Sequence, residues 1–381
     1  MRRRVAVVTG TRAEYGLLTP VIAELRKAGL DVRLIVTGAH LSRKHGLTVR
    51  DIEADGHAIA ARVPLGDSDD AHGAARAMAR GLEGFSRAYE RIKPQLVVVL
   101  GDRFEILAAV AAALPHRLPV AHIHGGESTN GAWDESIRHA LTKLSHIHFP
   151  AAPLYARRLV RMGEDPRRVF CFGSPGWDSI AQVPRLSRAQ LERELGFPLK
   201  RPVGLVTYHP ATLSRDRGLN EFRSLLQALE HRDGTWILTY PNADAGAGAI
   251  RRDLEVFVKR RRGRAAAFRS LGKRRYFSLL SHSDVMIGNS SSGLLEAPFF
   301  GLPVVNVGDR QAGRLREPNV IDVPRATAAA IDRAIDRALS PQFRRALKPR
   351  KTTGVSPSRR IAATLKRTAL GDSLLKKSFH A

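Results

Sequence analysis

Short, almost wholly apolar runs recur along this chain, each followed by a helical pattern, and that alternation limits the fold more than any other feature. Val5–Thr9, Val32–Thr37, Gln95–Leu100 and Pro119–Ile123 are the runs of the first half. An amphipathic stretch from Tyr15 to Lys27 follows the first run, and an alanine-rich helix fills Gly101 to Leu114. Strands this apolar, separated by helices, are buried on both faces, which calls for a parallel sheet covered on both sides. Turn residues in Gly173-Ser-Pro-Gly-Trp-Asp178 and the polar segment from Val183 to Arg188 then interrupt the pattern. It resumes with Pro202–Tyr208, Trp236–Tyr240, Asp284–Gly288, Pro303–Val307 and Val320–Val323, with helices over Leu219–Glu230 and Gly293–Phe300. The expected fold is α/β: two Rossmann-like doubly wound domains facing a central cleft. Their expected extents are 1–182 and 183–365, with 366–381 a C-terminal helix or tail. A chain of 381 residues exceeds what one core usually serves, which agrees with two domains. Ligands of such sheets bind at the carboxyl ends of the strands, so the loops there come first.

Charge and composition narrow the function classes. The net charge is +26, with denser basic clusters at Arg251-Arg252, Lys259–Arg262 and Lys273–Arg275. No aromatic-interleaved basic motif, zinc finger or zipper accompanies them, so a solvated arginine-rich surface is expected and nucleic acid is not. An anionic substrate would also be drawn to such a surface. No apolar run approaches the roughly 20 residues of a membrane helix. Val5–Val8 is too short for a signal-peptide core, and the single cysteine, Cys171, has no internal disulfide partner. A cytoplasmic protein without membrane attachment is expected.

The densest chemistry lies in His122-Ile-His-Gly-Gly-Glu127-Ser-Thr-Asn-Gly-Ala-Trp-Asp134-Glu-Ser-Ile-Arg138-His139. Gly125-Gly126 permits a tight reversal that presents Glu127. Asp134 opens a helix whose apolar positions Ile137, Ala140, Leu141, Leu144 and Ile147 keep a 3.6-residue period. Gly101-Asp102-Arg103 follows the preceding strand, and Asp102 is either a helix cap or a third carboxylate at the rim. Several carboxylates in one partly buried place separate into acid and base roles. His122 and His124 alternate on one strand and so lean to one face, and His146 with His148 forms a second pair. A metal site would need matched carboxylates or cysteines that these pairs lack, so none is expected.

The second half offers an anion site. In Val285-Met-Ile-Gly-Asn-Ser290-Ser291-Ser292-Gly293-Leu-Leu-Glu296 a strand gives way to a helix start carrying three serines between glycines. Free amides and hydroxyls there suit phosphate oxygens, although one serine alone would be a simple cap. Glu296, one turn on, can accept hydrogen bonds from a ribose. His209, after Pro202–Tyr208, would project toward the phosphate, and Arg12, in Gly10-Thr-Arg12-Ala-Glu14, can bind an anion with two N–H groups. No GxGxxG pattern is present, so a dinucleotide cofactor is not expected.

In sequence and spacing these motifs resemble the hydrolysing UDP-N-acetylglucosamine 2-epimerases of bacterial sialic-acid and nonulosonate biosynthesis. The likeness covers nearly the whole chain. It runs through Gly10–Gly16, His40-Leu-Ser with Gly46 and Thr48, Asp55-Gly56, Gly101–Glu105, His122–Glu127, Asp134–His139, Tyr208-His-Pro, Gly288–Gly293 with Glu296, and Gly301–Asn306. It implies a glycosyltransferase B-type fold with the nucleotide held mainly by the C-terminal domain, no metal, no redox cofactor, and a homo-oligomer, dimer or tetramer. It further implies elimination of UDP through a 2-acetamidoglucal, then addition of water to give N-acetylmannosamine. Asp102, Glu127 and Asp134 would be the acid/base carboxylates. Arg12, His209, Ser290, Ser291, Ser292 and Gly293 would hold the diphosphate, and Glu296 the ribose. Related enzymes act on UDP-N,N'-diacetylbacillosamine or a GDP-linked sugar of the legionaminic-acid pathway, with overlapping motifs. A retaining glycosyltransferase of the same fold would use the serine loop and Glu296 but would require an acceptor, not three carboxylates.

Overall fold

The computed structural model describes residues 2–44, 46–66, 70–129, 133–211, 213–241, 246–351 and 354–380. The chain forms two compact units. One comprises Met1–Glu127, Asp134–Ser179 and Thr353–Ala381, the other Ser128–Trp133 and Ile180–Thr352.

In the first unit the strands are β1 (Arg4–Thr9), β2 (Asp31–Thr37), β3 (Ile59–Val63), β4 (Leu96–Leu100), β5 (Val120–Ile123) and β6 (Ile147–Phe149). They form one parallel sheet in the order β3-β2-β1-β4-β5-β6. Alternate residues go to opposite faces, as the pleat requires. Val5, Val7, Leu34, Val36, Val98 and Leu100 pack into one core, while Ala6, Val8, Ile35, Val97 and Val99 pack into the other. Helix α1 (Arg12–Lys27) covers the first face. Helices α2 (Ala71–Ile92) and α3 (Phe104–Ala113) cover the second, and α4 (Asp134–Leu144) adds Ile137 and Leu141 to it.

The second unit repeats this plan with β7 (Val203–Thr207), β8 (Thr235–Thr239), β9 (Ala265–Phe268), β10 (Val285–Gly288), β11 (Val304–Val307) and β12 (Val320–Val323). The parallel order is β12-β11-β10-β7-β8-β9. Both sheets therefore reverse their winding direction once, between β1 and β4 and between β7 and β10. At such a reversal the following helices leave for opposite faces, and a crevice opens at the strand ends. Arg12 and Asp102 follow the first pair of strands; His209 and the serine loop follow the second.

Three expectations need correction. The C-terminal segment does not close the second domain. Helix α6 (Pro357–Arg367) buries Ile361, Ala362 and Leu365 in the first unit's core, because its apolar stripe matches the open side of α1. The helix expected over Gly293–Phe300 is a single turn, α5 (Ser292–Leu295), continued by a tighter 3-10 turn over Ala297–Phe300; Pro298 has no N–H to extend an α-helix. Ile147 lies in β6, not on α4, which ends at Leu144. Among the described residues no helix is long and apolar enough to cross a membrane.

Candidate active site

Around β4 and β5 the polar groups are tied by one arginine. Arg138, one turn into α4 and 1% exposed, donates from Nη2 to the Asp102 carboxylate and from Nη1 to Glu135 Oε2 at 2.7 Å. The same Nη1 donates to the backbone carbonyl of Glu127 at 3.1 Å. Burial opposes the guanidinium charge, but Asp102, Glu127 and Glu135 together raise its pKa above the usual arginine value. Asp102 and Glu127, from loops after adjacent strands, are thereby brought to one place. Asp134 is the half-buried first residue of α4, four positions before Arg138. The intervening residues 130–132 lie outside those described.

Glu127 is almost fully enclosed, at 2% exposure, with its Oε1 2.8 Å from His124 Nδ1. The other nitrogen of His124 is 3.0 Å from Ser174 Oγ. Two backbone features set this geometry. Gly126 has φ 76°, and a Cβ there would come within 2.6 Å of the Tyr155 carbonyl, so the reversal needs glycine. His124 takes φ 68° immediately after β5 ends, so the strand alternation expected to align it with His122 does not reach it. His122 instead donates from Nε2 to the Gly101 carbonyl at 2.7 Å, just before Asp102. Burial lowers its pKa to about 4, so the ring is neutral at physiological pH. His146 Nδ1 accepts from the Val120 amide at 3.2 Å and His148 Nε2 donates to Glu164 at 2.8 Å. Among the described residues no three His, Cys, Asp or Glu side chains are grouped as metal ligands.

The loop carrying Arg12 rests on two buried acids. Glu14 completes a capping box with Thr11 and accepts from the Gly10 amide at 2.8 Å. Glu105 of α3 presses on the other side of Gly10, where a Cβ would lie 2.8 Å from its Oε1, and takes a 2.7 Å bond from Arg103 Nε. Burial first, and the Glu105 charge second, push the Glu14 carboxyl up to about 8; Arg103 opposes this and Asp102 adds to it. A carboxyl that keeps its proton to higher pH in the folded than the unfolded state makes stability fall between the two pKa values. The Glu14 contribution to stability therefore declines from about pH 4.5, the ordinary value, to about 8 and levels off above it. Glu14→Gln, which retains the amide-bonding oxygen, should flatten that decline. Melting temperatures of both proteins from pH 5 to 9 check this, and parallel curves would refute it.

In the second unit, Asn289 joins the two loops at the strand reversal. Its Oδ1 accepts from the His209 amide at 2.7 Å and its Nδ2 donates to the His209 carbonyl at 2.8 Å. Arg310 and Gln311 donate to the Asn289 carbonyl at 3.2 and 2.8 Å. Gly288 has φ 132° and passes so close to β7 that a Cβ would lie 2.0 Å from the Thr207 carbonyl. Ser290, Ser291 and Ser292 are half-buried, while Gly293 is buried against Val304. The Ser292 hydroxyl is committed within the protein: it donates to Glu296 Oε2 and accepts from Tyr276 at 2.5 Å. It thereby links the serine run to the ribose candidate. Burial raises the pKa of Glu296 above the ordinary carboxylate range.

Arg138 and Asn289 are the residues that reading by motif left without a role. A buried arginine one turn inside an acid-led helix, and an amide between a strand-ending glycine and a serine run, were the available signals.

Two doubly wound parallel sheets, each with polar loops gathered where the winding reverses, define an α/β fold of glycosyltransferase B type. The family model described as UDP-N-acetylglucosamine 2-epimerase matches residues 23–366, and the chain belongs to that family. It is 38% identical over 384 residues to a GDP/UDP-N,N'-diacetylbacillosamine 2-epimerase (hydrolyzing) of Campylobacter jejuni, covering 99% of both chains. It is 40% identical over 325 residues to a UDP-N,N'-diacetylbacillosamine 2-epimerase (hydrolyzing) of Legionella pneumophila, covering 85% of each. The crystal structure of UDP-GlcNAc 2-epimerase from Neisseria meningitidis bound to UDP-GlcNAc shares the fold, with TM-score 0.80 at 18% identity, covering 96% of this chain and 100% of that one.

Proposed function

We propose that this chain is a hydrolysing 2-epimerase of a nucleoside-diphosphate-linked 2-acetamido sugar, with the 2,4-diacetamido-trideoxyhexose of its relatives as the favoured sugar and N-acetylglucosamine as the second. The observation that carries the reading is the enclosed carboxylate set: Glu127 against His124, and Asp102 fastened to Arg138, which also grips Glu127's carbonyl. The names of the relatives at 38% and 40% identity support the diacetamido sugar; the family description supports N-acetylglucosamine.

In this reading a carboxylate removes the C2 proton while the C1–O bond to the diphosphate breaks, leaving a glycal and the free nucleotide. Water then adds its hydroxyl to C1, and a proton returns to C2 on the opposite face. The net reaction is nucleotide sugar plus water to the 2-epimeric free sugar plus nucleoside diphosphate. Asp102, Glu127 and Asp134 share the proton transfers, with Glu127 in the most enclosed position. Arg12, His209, Ser290, Ser291, Ser292 and Gly293 hold the diphosphate, and donors aimed at the departing charge supply much of the rate because C2–H is weakly acidic. Glu296, oriented by Ser292 and Tyr276, takes the ribose hydroxyls.

The test is incubation with UDP-N-acetylglucosamine, UDP-N,N'-diacetylbacillosamine and the GDP-linked counterpart, each without acceptor, in deuterated water. Free nucleoside diphosphate and a 2-epimeric sugar carrying deuterium at C2 are expected, with the highest kcat/KM on the diacetamido sugar. Turnover that begins only when a sugar acceptor is added would establish a glycosyltransferase instead.

A further inference from the structure

The last carbonyls of a helix have no donors within it. At the end of α4 a single side chain from the C-terminal segment reaches two of them and one carbonyl just beyond the helix. Lys377 Nζ donates to the carbonyls of Thr142 at 2.9 Å, Lys143 at 2.9 Å and Ser145 at 2.7 Å. It also lies 2.6 Å from Glu164 Oε2, and its side chain is only 18% exposed. A surface lysine near a helix end ordinarily meets the dipole loosely from solvent. Four acceptors around a mostly buried ammonium describe a fixed joint.

The segment holding Lys377 is itself anchored on both sides. Leu374 is buried in the first unit's core, and Arg168 donates to the carbonyls of Leu374 and Ser373 at 2.9 and 2.6 Å. Beyond Lys377, the His380 amide donates to the Gly163 carbonyl at 3.0 Å, and the Phe379 ring lies 5.3 Å from Lys143 Nζ.

Two connections run from this joint to the carboxylates. Through the helix, the Thr142 hydroxyl donates to the Arg138 carbonyl at 3.1 Å, and Arg138 holds Asp102 and the Glu127 carbonyl. Through the sheet, Glu164 receives His148 at 2.8 Å; His148 lies in register beside His122, which fixes the Gly101 carbonyl. Burial alone would raise the pKa of Glu164, but its bonds from His148, Lys143 and Lys377 bring it down to about 2. Glu164 is therefore ionised at physiological pH, while burial lowers the pKa of Lys377 against the pull of that carboxylate.

We propose that Lys377 is a positioning residue for catalysis, clamping the far end of α4 so that Arg138 holds Asp102 and Glu127 in working geometry. This rests on the reading that those carboxylates carry the proton transfers. Adjacency alone does not establish coupling, so the test must show it.

Three variants decide it: Lys377→Met, Lys377→Arg and the exposed-site control Lys376→Met. A small misplacement of reacting groups costs up to roughly a hundredfold in rate, so Lys377→Met should lower kcat about 10- to 100-fold with KM within about twofold. Arginine, which also donates to several carbonyls, should recover most of the loss, and Lys376→Met should match wild type. Hydrogen exchange across the α4 amides should quicken in Lys377→Met alone. Wild-type kcat in Lys377→Met overturns the proposal. So does an equal loss in the Met and Arg variants with KM rising in step, which marks general loss of fold. If the wild-type chain turns over no nucleotide sugar, the functional reading fails, and exchange across α4 alone then decides whether the clamp exists.

Discussion

Glu127→Gln should lower turnover by roughly two to four decades, the usual range for a lost acid/base group, while UDP still binds within about twofold of wild type. The substitution keeps the side chain's size in a site where it is 2% exposed, and leaves the carbonyl that Arg138 grips untouched. What it removes is the ability to take and return a proton. Apart from Arg12, the residues proposed for the nucleotide belong to another unit of the chain and keep their own supports, Asn289 on His209 and Ser292 on Glu296. Turnover and affinity should therefore separate. Asp102→Asn is a less clean test of the same idea, because it also breaks the ion pair with buried Arg138. Steady-state release of nucleoside diphosphate and UDP titration calorimetry give the two quantities. A Glu127→Gln enzyme with undiminished kcat would remove that loop from the chemistry.

Much of the architecture was legible because parallel strands buried on both faces must be continuously apolar. Leu96–Leu100 and Val285–Gly288 show this plainly. The strands that escaped notice lie at or next to sheet edges, where that demand relaxes. β3 carries Arg62 among alanines, β9 is Ala-Ala-Ala-Phe and reads as helix, and β6 is three residues long. Helix α6 was placed by chain order in the second domain, whereas its apolar stripe joins the first core. The candidate site divides in the same way. Loops after strands carry local signals, so Asp102, Glu127, His209 and the serine run stood out. Long-range links carry none: nothing around Arg138 or Lys377 announces that one reaches across 36 positions to Asp102 and the other across 235 to Thr142. The sugar is harder still. The motifs alone put N-acetylglucosamine first, while two relatives are themselves named for N,N'-diacetylbacillosamine.

Arg138→Met should be the most damaging single substitution in the first unit. Removing one partner of a buried ion pair leaves an uncompensated charge and costs about 3–5 kcal/mol. Here the loss falls on several acceptors at once: the Asp102 carboxylate, Glu135 Oε2 and the Glu127 carbonyl all lose a donor at a residue that is 1% exposed. Arg138→Lys keeps the charge but cannot span the same acceptors, since the guanidinium fork is planar and an ammonium is a compact point donor. The two variants should therefore diverge. Met lowers stability and abolishes turnover; Lys recovers much of the stability and little of the kcat, because the alignment of Asp102 with Glu127 depends on the fork. Denaturant unfolding monitored separately for each unit, alongside nucleotide release, distinguishes these outcomes. If Arg138→Lys regained full turnover, charge alone would be enough to hold the carboxylates. If Arg138→Met kept wild-type stability, Asp102 and Glu135 would not need the arginine to be held where they are.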